Sequence, residues 1–345
     1  MVRHLTKSLW LLGLTVVICC GAYPLAVWAI GQAIFPFQAN GSLLTAPDGR
    51  VVGSRLIAQP FTQDFYFQPR PSAASYDASA STSSALAPSN YALRNRVART
   101  LGPLVKYGPG AGSKASQPVG PDLEAWLRAD QFQGNPHVVA QWADAHPGLA
   151  QAWVKADTGN ADAVDAWSKE HVSAVATWVQ ANPGTPEPQA ADLAVLYFEQ
   201  WSTEHPGAWP GVVEHPDADG KPVKAIEPVT EGAEIQATFF DMWRQDHPDV
   251  SLEDVPGDFV TTSGSGLDPD ITLANARFQL ERVASAWATA LHRDPKQVQT
   301  GVNTLLNEQA RAPWGGLIGE SMVNVLELNL ELQKRYGAPP AADSR

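Results

Sequence analysis

The hydrophobic pattern of the chain is clearest in its first fifty residues. Arg3 and Lys7 precede a long apolar stretch, and no charged residue follows until Asp48. A helix needs about 20 apolar residues to cross a bilayer, and this stretch is longer. A cleaved signal peptide would end a shorter apolar run at small residues, whereas apolar residues continue here beyond any such site. We therefore predict a membrane-spanning helix over 8–37, kinked at Pro24.

The positive charges predict the orientation of this helix. Arg3 and Lys7 lie on its short N-terminal flank, and positively charged flanks stay in the cytoplasm. Residues 1–7 are therefore expected in the cytoplasm, and the body of the chain outside it. Both cysteines, Cys19 and Cys20, fall within the helix, where adjacent residues cannot form a disulfide. The body must be held by core packing alone.

Residues 38–107 have the pattern of turns and short extended pieces. Apolar runs around Gly53 predict a strand pair or a bulged strand. A cluster of aromatic residues then leads into a stretch rich in serine and alanine, which is typical of a linker or of an ordered loop that wraps around another element. The pattern YALRNRVARTL near the end predicts a helix. We assign these residues to the first part of a core domain.

A break rich in glycine and proline introduces a region, 108–254, with a repeat of 25 residues between Trp142 and Trp167. The pattern predicts an insertion of short helices that bury their tryptophans in a shared core and end at His, Asn, Pro or Gly. An aromatic surface for sugars or a partner is the alternative. Metal binding is disfavoured, because the histidines repeat one structural position and do not converge. The recurring pairs are Trp142 and His146, Trp167 and His171, Trp201 and His205, and Trp243 and His247.

Residues 255–337 predict the second part of the core domain, and 338–345 a tail. A strand is expected over 258–262, before the loop TTSGSGLDPDI. A helix is expected after the loop, since apolar residues recur there at steps of three and four. These apolar positions are Ala276, Leu280, Val283, Trp287 and Leu291.

The loop TTSGSGLDPDI is predicted to turn a strand into a helix. Gly264 and Gly266 let its backbone bend, and Asp270 or Thr272 is placed to cap the following helix. A phosphate-binding loop would need a following Gly-Lys-Ser/Thr triplet, and a serine-hydrolase elbow needs Gly-x-Ser-x-Gly. Neither pattern is present, so we expect the loop to organise structure or to contact a partner.

Charge is distributed unevenly and limits the classes of partner. Residues 114–254 contain 23 acidic and 7 basic residues, a net charge of −16, against −12 for the whole chain. An acidic body disfavours nucleic-acid binding, which needs clustered lysine and arginine. No paired carboxylates, catalytic triad or metal-ligand set is evident, so we predict that the chain is not itself an enzyme.

Several motifs resemble a known family, the C subunit of the Kdp-type potassium-transporting P-type ATPase. GSLL, VGSRLIAQPF and YFQPRPSAASYDA carry the resemblance before the insertion, and VTTSGSGLDPDI, ANARFQLERVA and NVLELNL carry it afterwards. The chain departs from the usual family pattern at Ala85 and Ala87, at Asp270, where a histidine is usual, and at Ser321 and Met322, where Pro-Arg is usual.

The resemblance implies a fold and a set of partners. It implies an α/β (α+β) extracytoplasmic domain on a single transmembrane helix, here with the mainly helical Trp-repeat insertion. The helix is expected in a bacterial inner membrane, with the domain on the periplasmic side. The implied partners are a channel-like potassium-binding subunit, a P-type ATPase catalytic subunit and a small single-span subunit. ATP is implied only at the level of the family, as a higher ATP affinity of the catalytic subunit. No cofactor or metal is assigned to this chain.

The loops that carry the resemblance supply the candidate site. We predict that their residues face a partner or organise the loops, with a local salt bridge between Arg70 and Asp77 as the alternative for those two. A membrane-anchored envelope scaffold that binds polysaccharide or protein through the Trp repeats is the alternative function. The predicted site residues are Gln59, Phe61, Tyr66, Arg70, Pro71, Ser72, Tyr76, Asp77, Ser263, Gly264, Ser265, Gly266, Asp268, Pro269 and Asn324.

Overall fold

The computed structural model describes residues 2–46, 49–130, 137–216 and 221–339. Its contacts divide the chain into two compact units. Unit 1 contains Met1–Ala85 and Val255–Arg345, and unit 2 contains Leu86–Asp254.

Unit 1 begins with a helix that is long and apolar enough to cross a membrane. Helices α1 (Val2–Val16) and α2 (Tyr23–Ile34) are joined by a π-helical stretch, Val17–Ala22. The most apolar window of the helix has a mean hydropathy of 2.0 and no buried residue. Pro24 lies in the first turn of α2. The π-helix directly before it is the irregularity expected where a proline removes a backbone donor.

A small hairpin follows the helix. After α3 (Pro36–Ala39), strands β1 (Leu43–Thr45) and β2 (Val51–Ser54) pair antiparallel. The register shifts between the last two residues of β1. Gly53 lies within β2, so the predicted strand pair is confirmed.

The second segment of unit 1 contains its main helices. A pair of short antiparallel strands lies beside them. Phe67 from the first segment is fully buried among Trp287, Leu306, Leu328 and Leu332 of the second. The two segments therefore share one hydrophobic core. The elements are α12 (Gly257–Val260), β5 (Asp270–Thr272), α13 (Leu273–Leu291), α14 (Pro295–Gln309), β6 (Met322–Asn324) and α15 (Val325–Tyr336).

Two predictions around the glycine loop need correction. The strand expected over 258–262 is instead the short helix α12. The Asp258 carboxylate accepts hydrogen bonds from the Thr272 N–H at 2.8 Å and hydroxyl at 3.0 Å, which fixes this turn against the start of α13. Thr272 caps α13 through the Asn275 N–H, whereas Asp270 lies in β5. The loop therefore joins a helical turn to a strand.

Unit 2 is mainly helical. It includes the predicted helix YALRNRVARTL as α4 (Tyr91–Leu101), which packs against α11 (Ala233–Asp246). This contact explains why unit 2 begins before residue 108. The helices are α4 (Tyr91–Leu101), α5 (Gly120–Ala129), α6 (Val138–Ala145), α7 (Pro147–Ala156), α8 (Thr158–Glu170), α9 (Val172–Ala181), α10 (Ala194–Glu204) and α11 (Ala233–Asp246), and a hairpin consists of β3 (Trp209–Pro216) and β4 (Pro222–Val229).

The four Trp-x-x-x-His pairs of unit 2 each lie at the end of a helix, and three of them stack their rings. The tryptophans at 142, 167, 201 and 243 are buried, and each histidine is the residue at which its helix ends. His171, His205 and His247 stack on the tryptophan four residues earlier, at centroid distances of 4.9, 4.1 and 4.8 Å. Among the described residues no cluster of histidine, cysteine and acidic side chains fits a metal ion.

Candidate partner-binding loops

The extended segment that follows the hairpin is held by two buried amide side chains. The Asn329 amide oxygen accepts the Phe67 N–H at 2.9 Å, and its NH2 group donates to the Phe67 carbonyl at 2.9 Å. The Gln279 amide oxygen likewise accepts the Gln68 N–H at 2.8 Å, and its NH2 group donates to the Gln68 carbonyl at 3.0 Å. Both amides are almost completely buried. They take the place of a neighbouring β-strand and fix the backbone of the segment.

Arginine and tryptophan side chains of α13 hold the same segment. The four side chains of Asn329, Gln279, Arg282 and Trp287 are called the clamp below. Arg282 donates to the carbonyls of Asp64 and Tyr66 at 3.1 and 3.0 Å. The Trp287 indole donates to the Phe65 carbonyl at 2.8 Å. Burial lowers the pKa of Arg282 from its usual value, although the guanidinium stays charged at any pH the protein meets. The path of residues 64–68 is therefore determined by side chains of the distant second segment.

The loop TTSGSGLDPDI packs against the turn that follows the clamped segment. The Ser72 hydroxyl donates to the Gly266 carbonyl at 2.5 Å and accepts the N–H groups of Ala74 and Tyr76. Gly266 has a φ of +73°, and a Cβ atom there would lie 2.9 Å from both the Ala74 side chain and the Thr82 carbonyl. Only glycine fits this position. Gly264 has open space and no positive φ, so its predicted conformational role is not required.

Arg70 connects the same two loops. It donates to the Thr262 carbonyl at 3.1 Å and lies 3.5 Å from the Asp268 carboxylate. The alternative of a salt bridge between Arg70 and Asp77 is therefore wrong. Asp77 is exposed and accepts the Ser79 N–H and hydroxyl. These hydrogen bonds from Ser79 hold the pKa of Asp77 below its ordinary value.

Tyr76 stabilises the turn that follows Arg70 by a hydrogen bond across it. Its hydroxyl donates to the Arg70 carbonyl at 3.0 Å. Both Ser75 and Tyr76 have left-handed backbone angles, with φ of +53° and +58°. Burial raises the pKa of Tyr76 above its usual value, so its hydroxyl remains a hydrogen-bond donor. A tight turn is thus stabilised against backbone strain by one buried hydroxyl.

Asn324 joins the loop region to the hairpin. Its amide donates to the Asp270 carboxylate at 3.0 Å and to the Arg55 carbonyl at 2.9 Å, while its oxygen caps α15 through the Glu327 N–H. Burial is the main cause that raises the pKa of Asp270, and the negative charges of Asp268 and Glu327 add to it. Asn324 therefore connects β5, β6 and the hairpin through its hydrogen bonds.

Of the remaining predicted residues, Ser265 shares the loop contact, because its carbonyl accepts the Thr82 N–H at 3.0 Å. Gln59 donates to the Val52 carbonyl at 2.8 Å. Phe61 and Tyr66 pack against each other at a centroid distance of 5.3 Å, and the Tyr66 hydroxyl accepts the Gln333 amide at 2.6 Å. The Pro269 carbonyl accepts the Val325 N–H, and Ser263 is buried. Pro71 is half-buried, and Gly264 and Ser265 are exposed.

A family model, described as "K+-transporting ATPase, c chain", matches residues 5–124 and 231–334. These ranges include the hairpin, the clamp and both loops. The chain belongs to the KdpC family. Residues 125–230 lie between the two matched ranges and outside the family model.

Individual KdpC proteins show the same relationship. The potassium-transporting ATPase KdpC subunit of Caulobacter vibrioides is 29% identical over 347 residues, which cover 100% of this chain and 99% of the relative. The KdpC subunit of Pseudomonas aeruginosa is 56% identical over 78 residues, or 23% of this chain and 43% of the relative. The full-length match indicates that the Caulobacter KdpC also has residues that align with 125–230.

The residues of the clamp are not among the predicted site residues. Asn275, Gln279 and Arg282 follow one another at helical spacing within the motif ANARFQLERVA, and Asn329 lies within NVLELNL. Polar residues at buried helical positions are uncommon unless they are hydrogen-bonded. These polar residues on otherwise apolar helix faces were a signal in the sequence that α13 and α15 hold another backbone segment.

Proposed function

We propose that this KdpC protein is a non-catalytic, single-pass accessory subunit of an ATP-driven potassium uptake pump, needed for assembly and stability of the complex. The family match on both sides of residues 125–230 carries this proposal, because it covers the apolar helix, the clamp and both loops. The relatives are named as subunits of a potassium-transporting ATPase. The proposed partners are a channel-like potassium-binding subunit, a P-type ATPase catalytic subunit and a small single-span subunit.

The proposed topology places the body outside the cytoplasm. Arg3 and Lys7 flank the short N-terminal side of the apolar helix, and such flanks stay in the cytoplasm. The helix is then the attachment to the inner membrane, and both units lie on the periplasmic side. ATP lies on the other side of the membrane, so an effect on ATP affinity would pass through the partner subunits.

Within the candidate site we propose a division of roles. The buried or half-buried residues shape the loops, as the hydrogen bonds of Arg70, Ser72 and Tyr76 support. Gly264 and Ser265 are exposed at the loop surface, and a Cβ atom added at Gly264 would have no neighbour within 4 Å. These two residues, with exposed Asp77, are the proposed partner contacts.

Co-purification tests the assembly proposal. The tagged full-length chain is solubilised from membranes of cells grown at limiting potassium, and captured proteins are identified by mass spectrometry. Stoichiometric recovery of a P-type ATPase and a polytopic channel-like protein is expected. Recovery of the chain alone or with cell-wall material would contradict the proposal and favour the envelope scaffold, which the family match does not favour.

A bulky substitution tests the loop contact. Gly264→Trp adds a large side chain in open space, and it should reduce recovery of the partners while the thermal stability of the chain is kept. Gly184→Trp is the matched control, because Gly184 is also exposed, has open space and lies outside the family model. Equal recovery with both variants would assign Gly264 to free solvent.

Residues 108–254 are proposed as a helical insertion that the pump does not need for assembly. The gap in the family match supports this proposal for residues 125–230, whereas 108–124 and 231–254 lie within the matched ranges. Replacement of residues 125–230 by a short flexible linker should leave partner recovery intact. Loss of recovery, with the apolar helix still inserted, would mean that unit 2 takes part in assembly.

A further inference from the structure

A short loop of unit 1 presents two large aliphatic side chains to the solvent. Leu317 is 87% and Ile318 70% exposed. Leu11 and Leu25 of the apolar N-terminal helix are 67% and 65% exposed. The loop pair is therefore at least as accessible as side chains expected to face lipid. Soluble proteins rarely expose neighbouring large aliphatic side chains unless these contact another protein or a membrane.

The loop is a defined structure with an uncharged tip. Arg311 and Met322 exchange two backbone hydrogen bonds, of 2.8 and 2.9 Å, which close its base. Residues 312–319 contain no charged side chain. Positive φ angles at Gly315, Gly316 and Gly319 bend the backbone so that the two aliphatic residues form the tip.

Contacts within unit 1 tie this loop to the end of the apolar helix. Glu327 bridges Arg311, at 3.1 Å, and Arg55, at 3.2 Å. The Arg55 N–H donates to the Ser42 carbonyl at 2.9 Å, and the Ser42 N–H donates to the Phe37 carbonyl at 2.9 Å. Phe37 lies in α3, directly after the helix. One carboxylate and two backbone hydrogen bonds thus connect the helix end to the base of the loop.

The helix end and the hairpin also expose large apolar side chains to the solvent. A helix that crosses a bilayer leaves lipid beside its end, so the elements that directly follow that end lie near lipid. The residues are Phe35, Phe37, Leu43, Val51 and Leu56, with exposures of 56%, 42%, 48%, 54% and 62%.

We propose that Leu317 and Ile318 insert into the headgroup region of the bilayer and form a second membrane attachment beside the helix. Aliphatic side chains on a short structured element favour the boundary between headgroups and acyl chains. Two attachment points fix the tilt of the body over the membrane, which one helix alone leaves free. The inference rests on the proposed anchoring of the helix in a bilayer and does not depend on potassium transport.

A fluorescent probe measures the depth of the loop. The full-length chain carries Cys19→Ala and Cys20→Ala, and one new cysteine labelled with an environment-sensitive fluorophore. The chain is reconstituted in vesicles of phosphatidylethanolamine and phosphatidylglycerol. The probe at Leu317→Cys should show blue-shifted emission, quenching by lipids with a nitroxide near the headgroup, and protection from aqueous iodide.

Three further probes or variants serve as controls. Lys296→Cys is exposed at the opposite end of α14, about 20 Å from the helix end that leads to the loop, and should be quenched by iodide. Leu14→Cys reports on the apolar helix and should be quenched by nitroxide deep in the acyl chains. Adding Ile318→Asp beside the Leu317 probe should expose that probe to iodide.

The outcomes separate the two levels of the proposal. A Leu317 probe as accessible to iodide as the Lys296 probe overturns the loop insertion while the anchor stands. Protection of the Leu317 probe only in the co-purified pump also overturns it, because a protein surface then covers the loop. A Leu14 probe that lipid nitroxides do not quench overturns the anchor and the loop insertion together.

Discussion

The Asn329 side chain pairs with both backbone polar groups of Phe67, at 2.9 Å each, although the two residues are 262 positions apart. A strand neighbour would satisfy the same N–H and carbonyl through its own backbone. Here the amide of a helix does so. The extended segment of KdpC is therefore bound to α15 through a side chain, and Gln279 of α13 binds the next residue in the same way.

Asn329→Leu tests this pairing. The substitution leaves a buried N–H and a buried carbonyl without partners, at about 1–3 kcal/mol for each group. The free energy of unfolding should fall accordingly in denaturant titration. Asn307→Leu, at an exposed position that accepts one bond from Arg277, should change it by less than about 0.5 kcal/mol. Equal losses in the two variants would argue against the clamp.

Gly266→Ala tests the tight turn between the two loops. The left-handed φ alone costs about 1–3 kcal/mol for a residue with a side chain, and the new Cβ atom also meets Ala74 and Thr82. Gly264→Ala, two residues earlier, should leave the melting temperature unchanged or slightly higher. If both variants unfold at the same temperature, the turn does not need its glycine.

Asp270→Asn tests a carboxylate whose charged form is disfavoured by burial. Because the folded pKa of Asp270 is raised, the folded state binds a proton at a higher pH than the unfolded state. The free energy of unfolding therefore falls as the pH rises from the unfolded pKa to the folded pKa of Asp270. Above the folded pKa the loss is complete and no longer changes with pH. The variant keeps an acceptor for Asn324. Its stability relative to the wild type should increase from about pH 4 to the folded pKa and then stay constant.

Denaturant titrations of both proteins across this pH range measure the difference. A difference that grows as the pH falls would contradict the assignment.

Tyr107→Phe tests the opposite case in unit 2. The Asp122 carboxylate accepts hydrogen bonds from Lys114 and from the Tyr107 hydroxyl, and both lower its pKa, Lys114 most strongly. The resulting stability is present above the unfolded pKa and is lost as pH falls through the folded pKa. Removing the hydroxyl should raise the Asp122 pKa, as measured by NMR titration of the carboxyl carbon. Lys114→Met should raise it further.

The sequence alone determined the local features of this KdpC protein. The uncharged run after Lys7 marked the apolar helix, since the length and composition of a stretch suffice for that. The apolar spacing around Val283 and Trp287 marked α13, and the helices of the Trp-x-x-x-His pairs end where the pattern placed their ends. Long motifs carried the family assignment. Each of these signals lies in one continuous stretch of the chain.

Only the tertiary structure decided which distant residues meet. Arg70 pairs with Asp268 and not with nearby Asp77, and the strand expected before the glycine loop became the turn α12, held by Asp258. Local patterns favoured the nearer partner and the commoner element. Packing in the fold overrode them, because polar groups partly removed from water pair with whatever partners the fold brings near.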